Sequence, residues 1–194
     1  VPVNVLQRRG DDLVVSRDEE YANVRLDKIP TLRPAFDKEG SVTAANASTL
    51  NDGASAIILA SEEACESKGL HPIAKILSSA DAAQAPEWFT TAPIKAITGV
   101  LEKANWSLDT VDLFEINEAF AAQVLMNQRA LGIPDEKLNI SGGGIALGHP
   151  IGASGARVLV TLVHGLLRTG GRRGVASLCL GGGNAVSMLV ERAD

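Results

Sequence analysis

The chain has 194 residues, of which 45% are hydrophobic and 21% are charged, and its formal net charge at pH 7 is −5. This composition is typical of a soluble globular protein with a sizeable core, and it lacks the basic excess that usually marks a nucleic-acid binder. Two cysteines do not form a disulfide framework, and no apolar run reaches the roughly 18 residues of a membrane span, so a disulfide-rich secreted domain and a membrane protein are both disfavoured.

The first 70 residues predict a hairpin, a long irregular region and a strand followed by a helix. Val1–Gln7 is an apolar-rich strand, and Asp12–Val15 is placed to pair back with it. Residues 16–40 are charged and too long for an ordinary connector, which favours a functional loop. Ala54–Ala60 is a continuous apolar run that suits a buried strand. Ser61–Lys68 follows as a helix with a serine cap at its start and a glycine after its end.

Strands and helices alternate through the rest of the chain. We predict strands at Ile73–Ser78, Val111–Ile116, Leu138–Ile140, Gly174–Leu180 and Ala185–Glu191, and helices at Pro93–Ala104, Glu118–Leu131 and Ala153–Arg168. This order predicts a layered α/β fold with a mixed, mostly parallel five-stranded sheet that helices cover.

Asn117 follows a predicted strand and opens a predicted helix. It can cap that helix, which alone would explain an asparagine at this position. It can also present its amide to a water or a substrate oxygen, because ligands of open α/β sheets bind beyond the carboxyl ends of strands. Spacing alone favours the cap.

His149 lies in a glycine-rich loop, Gly142–Gly155, between a predicted strand and a predicted helix. Glycines let the backbone approach a ligand closely, and a histidine beside a helix N-terminus can activate a thiol or bind an oxyanion. The loop contains no lysine, so it does not match the phosphate-binding loop of nucleotide hydrolases. A tight turn with a histidine on its rim is the alternative.

Cys179 ends a predicted strand and precedes Gly181–Gly183, whose backbone N–H groups can form an oxyanion-binding nest. A cysteine there can act as nucleophile or acid/base, and a buried core cysteine is the alternative. Cys65 sits among acidic residues in a short helix, which indicates a structural role. No cluster has the spacing of a metal site, and we predict no metal.

Three segments in this order, Asn117–Ala121, Gly148–Gly155 and Cys179–Gly183, resemble the C-terminal active-site motifs of the thiolases. Leu32–Phe36 and Asn46–Gly53 extend the resemblance upstream, so that it covers essentially the whole chain. The resemblance implies the C-terminal half of the thiolase α-β-α-β-α sandwich. It also implies an acyltransferase that condenses two acetyl-CoA to acetoacetyl-CoA, or cleaves a 3-ketoacyl-CoA with coenzyme A.

The resemblance also implies roles for four residues. His149 is similar to the histidine that activates an acylated cysteine and then binds a thioester oxygen, and Asn117 to the residue that holds a water in the same oxyanion hole. Cys179 is similar to the acid/base that removes the α-proton of acetyl-CoA, and the Gly181 N–H belongs to a second oxyanion hole. We expect a glycine nest and a nearby imidazole to lower the pKa of Cys179.

Coenzyme A and acyl-CoA are expected as substrates, with no tightly bound cofactor. Ser48 matches the family serine that contacts the pantetheine arm, and Phe36 matches an aromatic that packs near coenzyme A. The other contacts that the resemblance implies are Leu32, Ala44, Ala119 and Phe120. Trp88–Pro93 differs from the segment that many thiolases have beside the acyl pocket, so it does not indicate an acyl chain length.

The resemblance divides the chain into three parts. Residues 1–50 correspond to the tail of the inserted loop domain, 51–70 to the last strand and helix of the N-terminal core, and 71–194 to the C-terminal core. The family's acylated cysteine has no counterpart here, because Cys179 already has a role and Cys65 has the wrong surroundings. We therefore expect an N-terminal half as a separate chain, a cleaved piece or a missing segment, and a homodimer or homotetramer.

Two other functions are alternatives to this interpretation, and the sequence also favours one cellular compartment. A non-catalytic thiolase-like subunit that binds acyl-CoA or has a structural role needs none of Asn117, His149 and Cys179. Another condensing enzyme, such as a ketoacyl synthase, is not expected to carry the Cys179 motif. Cysteine usage favours a reducing compartment, and we expect the cytoplasm, with an organellar matrix as the alternative because any targeting region would precede Val1.

Overall fold

The structure is a computed structural model and describes residues 1–193. Its strands are Val3–Val5 (β1), Leu13–Val15 (β2), Ala74–Ala83 (β3), Leu113–Ile116 (β4), Arg173–Leu180 (β5) and Asn184–Arg192 (β6). Its α-helices are Glu20–Asn23 (α1), Glu62–Lys68 (α2), Ala92–Ala104 (α3), Ala121–Leu131 (α4), Gly144–Leu147 (α5) and Ser154–Thr169 (α6). Short 3₁₀ helices lie at Leu26–Thr31, Pro86–Thr91, Leu108–Thr110 and Asp135–Lys137. None of the helices in this part of the chain is long and apolar enough to span a membrane.

The main sheet has the strand order β3-β6-β5-β4. β4 and β5 are parallel, whereas β6 runs antiparallel to both of its neighbours. The predicted α/β fold with a mixed sheet and covering helices is therefore confirmed. The predicted parallel majority is wrong, because the tight glycine turn between β5 and β6 joins them as a hairpin.

The predicted strand Leu138–Ile140 is reduced to two isolated parallel bridges, one between Leu138 and Phe114 and one between Ile140 and Gly142. Asn139 adopts a left-handed backbone conformation with φ of 46°, which ends any extended run. Its side-chain amide instead satisfies the edge of β4, accepting from the Ile116 N–H at 2.8 Å and donating to the Ile116 carbonyl at 2.9 Å. A side chain thus replaces the backbone of the expected strand.

Alternating residues of the sheet pack against helices on its two faces. On one face, α3 buries Ile97 and Val100 against a cluster that includes Val175 and Leu189. On the other face, α6 lies close to β5, since Gly174 has no side chain to meet Leu162. Burying a leucine of this kind contributes about 1.5–3 kcal/mol. Packing on both faces holds the sheet in place, and with it the loops that follow its strands.

The first 70 residues carry less regular structure than the rest. β1 and β2 form the predicted antiparallel hairpin. α2 begins where predicted, with Ser61 Oγ accepting from the Ala64 N–H at 3.1 Å and Gly69 in the left-handed region after it. The strand predicted at Ala54–Ala60 is wrong, because no strand within residues 1–193 pairs with it, and a strand requires such a partner.

Glu115 lies on β4 and faces α6, with 3% of its surface exposed. Burial raises the pKa of its carboxyl to about 7, although Arg157, 4.0 Å away, acts in the opposite direction. The folded protein therefore holds this proton up to about pH 7, whereas the unfolded chain loses it near the ordinary value of 4.5. Stability falls as pH rises between those two values, because folding takes up a proton there.

We expect Glu115→Gln to raise the free energy of unfolding at about pH 8 by about 2–3 kcal/mol more than at about pH 5, because the substitution removes a buried charge only at the higher pH. Thermal unfolding of the protein at both pH values measures this difference. Glu136→Gln, which changes an exposed carboxylate, is the control and should show no such difference. An equal effect of Glu115→Gln at both pH values would show that the buried carboxyl titrates normally.

Candidate active site

Residues 46–51, which we call the bridging segment, connect the two loops that carry Asn117 and His149. The Ser48 N–H donates to the Ala119 carbonyl at 3.1 Å, and the Asn46 carbonyl accepts from the Ala121 N–H at 2.8 Å. On the other side, the His149 N–H donates to the Thr49 carbonyl at 2.9 Å. The loop after β4 and the loop before α6 therefore lie on either side of one segment.

Asn117 is 1% exposed and follows the last residue of β4. Its backbone N–H donates to the Ser177 carbonyl on β5 at 2.9 Å, which continues the parallel pairing past the end of the strand. It does not cap α4, because that helix begins at Ala121 with Phe120 at the cap position. The cap interpretation is therefore wrong.

The Asn117 side-chain oxygen has no hydrogen-bond partner among residues 1–193. It lies beside Gly144, 3.7 Å from the point where a Cβ would stand on that glycine. Leaving a buried acceptor unpaired costs about 1–3 kcal/mol. A donor such as a water or a ligand hydrogen would therefore be stabilised at this oxygen.

Glu118 holds the glycine-rich loop in place, a function that we did not predict. One carboxylate oxygen accepts from the Ile145 N–H at 3.1 Å, and the other accepts from the Asn139 side chain at 3.2 Å. A Cβ on Gly143 would stand 2.6 Å from the Glu118 carboxyl carbon, so a side chain there would push the carboxylate out of these contacts. The sequence signal for such a contact is a carboxylate that directly follows a strand. It can accept hydrogen bonds from the unpaired backbone N–H groups of a later glycine-rich loop.

His149 is held through both its backbone and its ring. Its N–H lies 2.9 Å from the Thr49 carbonyl and 3.2 Å from Asn51 Oδ1, and its Nδ1 lies 2.6 Å from Ser154 Oγ. Burial lowers the pKa of the imidazole, and the positive charge of Arg157 lowers it further. His149 is therefore neutral at neutral pH, which is the state that can accept a proton.

Cys179 lies near the end of β5, two residues after Ser177, and pairs with Ala185 on β6. Burial raises the pKa of its thiol, and a backbone hydrogen bond only partly opposes that effect. The predicted lowering of this pKa is wrong, since desolvation of the partly buried side chain outweighs the effect of the nearby backbone N–H. The group is a protonated thiol at neutral pH.

Gly181 and Gly183, which follow Cys179, lie in different surroundings. Gly181 is exposed, and a Cβ placed on it would meet no atom within 4 Å, so its backbone is open to a ligand. Gly183 has φ of 93°, and a Cβ there would collide with the Gln84 carbonyl. The Gln84 N–H donates to the Gly183 carbonyl at 2.9 Å, which ties the turn to the end of β3.

Four of the six predicted coenzyme A contacts lie together. Ser48 Oγ donates to the Ala119 carbonyl at 3.3 Å, and the rings of Phe36 and Phe120 pack edge to face with centroids 5.9 Å apart. Phe36 is 77% exposed, so its outer face is free to contact a ligand. Leu32 and Ala44 are exposed on the irregular region that leads to the bridging segment. Their contact with a substrate stays a prediction.

The structure thus brings Asn117 and His149 to the two sides of the bridging segment, which itself carries Ser48. Cys179 lies on the neighbouring strand, two residues after Ser177, whose carbonyl accepts from the Asn117 N–H. No group of three or more His, Cys, Asp or Glu side chains suited to a metal ion occurs within residues 1–193. The arrangement offers a neutral imidazole, a protonated thiol and a buried amide oxygen that lacks a donor, which together suit proton transfer at a carbonyl compound.

Two family models match the chain. The model described as "Thiolase, C-terminal domain" matches residues 70–192. The model described as "Thiolase, N-terminal domain" matches residues 1–63. Together they account for nearly all of the sequence.

Individual proteins are also similar to this chain. A probable acetyl-CoA acetyltransferase of Dictyostelium discoideum is 50% identical over 192 residues, which are 99% of this chain and 46% of the relative. The crystal structure of the Bacillus anthracis acetyl-CoA acetyltransferase has a TM-score of 0.93 at 47% identity, over 100% of this chain and 49% of that one. A thiolase of Ascaris suum in complex with coenzyme A has a TM-score of 0.87 at 41% identity, with the same coverage. The chain therefore spans about half the length of the relatives it matches.

We expect Gly148→Ala to destabilise the protein by about 1–3 kcal/mol, because φ of 91° at this residue is strained for alanine. The new Cβ would also collide with the Asn51 side chain that accepts from the His149 N–H. Thermal unfolding measures the effect. Gly155→Ala, at an exposed position where a Cβ meets nothing within 4 Å, is the control and should not destabilise. Equal stability of the two variants would show that the loop relaxes freely around His149.

Proposed function

This chain belongs to the thiolase family, and from that premise we propose that it supplies three of the reacting groups of a coenzyme A-dependent acyltransferase. The proposed reaction is the condensation of acetyl-CoA with an acyl-enzyme, or its reverse, the cleavage of a 3-ketoacyl-CoA by coenzyme A. The relatives named as acetyl-CoA acetyltransferases support the reaction class. The position of Asn117 and His149 on either side of the bridging segment is the observation that supports this chemistry most strongly.

In the first proposed step, neutral His149 accepts the proton of a cysteine thiol that lies outside these 194 residues. The thiolate attacks the thioester carbonyl of an acyl-CoA, and coenzyme A leaves as its thiol after taking up that proton. A histidine with a lowered pKa suits this step, because a protonated imidazole cannot accept the thiol proton. Cys65 is an unsuitable substitute nucleophile, since it lies on α2 among acidic residues.

In the second step, Cys179 removes an α-proton from acetyl-CoA, and the resulting carbanion attacks the acyl-enzyme. The bond to the acylated cysteine breaks, and a 3-ketoacyl-CoA forms. Since burial raises the pKa of Cys179, its thiol is the ground state, and it acts as a base only after it passes that proton to neutral His149. The cysteine thiolate that departs from the acyl group then takes this proton up. In the cleavage direction the same thiol already holds the proton that the departing carbanion needs.

The developing negative charge on the thioester oxygen needs donors that are already in place. We propose that the His149 ring supplies one donor from Nε2 while it holds the proton received there from Cys179, and that a water bound to the Asn117 side-chain oxygen supplies the other. The unpaired, buried state of that oxygen supports this role. The N–H of Gly181, whose surroundings are open, is assigned to the acyl-enzyme oxygen. One preorganised donor of this kind typically contributes about 3–4 kcal/mol to transition-state stabilisation.

We assign the coenzyme A contact to Ser48 and to the exposed face of Phe36. The relative from Ascaris suum in complex with coenzyme A supports coenzyme A as the ligand class. Leu32 and Ala44 are placed along the same irregular region, and Ala119 and Phe120 border it. Coenzyme A enters and leaves as substrate in this proposal.

The proposal also requires polypeptide outside this chain to provide the acylated cysteine. Ala54–Ala60 is the part of this chain that we assign to that contact, because its apolar side chains are exposed: Ile58 is 96% exposed and Leu59 is 72% exposed. Within this scheme we assign residues 1–50 to the tail of the inserted loop domain, 51–70 to the N-terminal core and 71–194 to the C-terminal core, with no strand formed at Ala54–Ala60 in this chain. A homo-oligomer and a location in the cytoplasm remain proposals of the same kind. No feature of the site favours a non-catalytic subunit, which would not need a buried, unpaired Asn117.

His149→Ala and Cys179→Ala should each nearly abolish condensation by the complete enzyme, but at different steps. His149→Ala should also prevent acylation of the partner cysteine, because the thiol loses its base, whereas Cys179→Ala should still become acylated. Steady-state rates and intact-protein mass after incubation with acetyl-CoA measure the two effects. Cys65→Ala is the matched control and should keep wild-type turnover. Unchanged turnover in either site variant would contradict its assigned role.

We expect these 194 residues, prepared alone, to self-associate, because Ala54–Ala60 leaves large apolar side chains in water. Light scattering of the purified chain measures its mass in solution. Replacing Ile58 and Leu59 together with serine is the matched control and should shift the chain towards monomer. A well-folded monomer of the unmodified chain would show that this segment needs no covering partner.

A further inference from the structure

Ser154 makes two short contacts with a single hydroxyl. Its Oγ lies 2.6 Å from His149 Nδ1 and 3.0 Å from the Pro150 carbonyl oxygen. Ser154 is the first residue of α6 and is 1% exposed. Bulk water therefore cannot easily take the place of either contact.

The hydroxyl carries one proton, and the two contacts favour one place for it. The Pro150 carbonyl also accepts from the Ala153 and Ser154 N–H groups, both at 2.8 Å, so the preference depends on the short distance between the two oxygen atoms. A carbonyl oxygen only accepts, so the contact with Pro150 is a hydrogen bond only if the Ser154 hydroxyl donates to it. The contact with His149 then requires the imidazole to donate from Nδ1. In the opposite arrangement the serine proton points to Nδ1, and two oxygen atoms face each other at 3.0 Å with no proton between them. The first arrangement satisfies both contacts, and the second satisfies only one.

We infer that Ser154 is a positioning residue that keeps the neutral His149 ring protonated at Nδ1 and leaves Nε2 as the proton acceptor of the site. This inference rests on the proposed function, in which His149 removes a thiol proton. A neutral imidazole has one donor and one acceptor nitrogen, and the partner of one nitrogen determines the state of the other. Ser154 acts through His149 and does not itself touch the reacting atoms.

The other contacts around His149 indicate that Ser154 affects the imidazole ring and not the position of the backbone. The His149 backbone is held separately, by the Thr49 carbonyl and by the Asn51 side chain. The charge that acts on the ring is that of Arg157, one helical turn after Ser154 on α6, and Glu115 on β4 faces that guanidinium. A cation beside the ring disfavours its protonation but does not choose between the two neutral forms. Removing the hydroxyl therefore leaves the loop in place and frees the ring.

The test uses the complete enzyme labelled with ¹⁵N in its histidines, since ring nitrogen chemical shifts distinguish a protonated from an unprotonated nitrogen. His149→Gln identifies the His149 signals among those of the three histidines in this chain and any histidines of the remaining polypeptide. We expect the neutral His149 ring of the wild type to be protonated at Nδ1, and Ser154→Ala to move it towards the form protonated at Nε2. We expect Ser154→Ala to lower kcat for cysteine acylation on the order of 10–100-fold with little change in KM, because misorientation of a reacting group has costs of this size.

Ser154→Thr keeps the hydroxyl and should restore both the ring state and most of the rate. A wild-type ring protonated at Nε2 would overturn the inference, and so would a folded Ser154→Ala variant with wild-type spectra and kinetics. If Ser154→Ala does not fold, the wild-type spectrum alone decides the question. Failure of the proposed function is distinguishable, because the wild-type enzyme would then show no acylation or thiolysis at all.

Discussion

The candidate site depends on the backbone hydrogen bonds of the bridging segment, residues 46–51. The Ala119 carbonyl accepts from Ser48, and the Thr49 carbonyl accepts from His149, so one extended stretch holds two loops that are about 30 residues apart in the sequence. Buried backbone groups must find partners, and these two loops find them in the bridging segment. Together with the Glu118 contact to the glycine-rich loop, this pairing sets where the Asn117 amide and the His149 ring lie relative to each other.

Charge and burial then set the protonation states of the two proton-transfer groups, His149 and Cys179. Burial and the Arg157 charge both keep His149 neutral, whereas burial alone keeps Cys179 protonated. A neutral imidazole and a neutral thiol are the starting states that suit a base and an acid respectively. The same helix, α6, carries Arg157 and Ser154, so its first turn influences both the charge and the orientation of the ring.

The sequence predicted the local features well, because they depend on near neighbours. The Ser61 cap and the left-handed glycine after α2 lie where expected. It did not predict that Asn139 would replace a strand or that Glu118 would hold the glycine loop, since both contacts join residues more than 20 positions apart. The pKa of Cys179 was predicted in the wrong direction, because burial cannot be read from a motif. The motifs themselves identified Asn117, His149 and Ser48, which the fold brings together.

A structure of the complete enzyme with bound acetyl-CoA tests the central claim most directly. We predict that the thioester oxygen lies within hydrogen-bond distance of the His149 ring and of a water on Asn117, with the methyl carbon next to the Cys179 sulfur. The acylated cysteine should approach the same carbonyl from the remaining polypeptide. A thioester bound away from the bridging segment, with these three side chains facing separate cavities, would contradict the account.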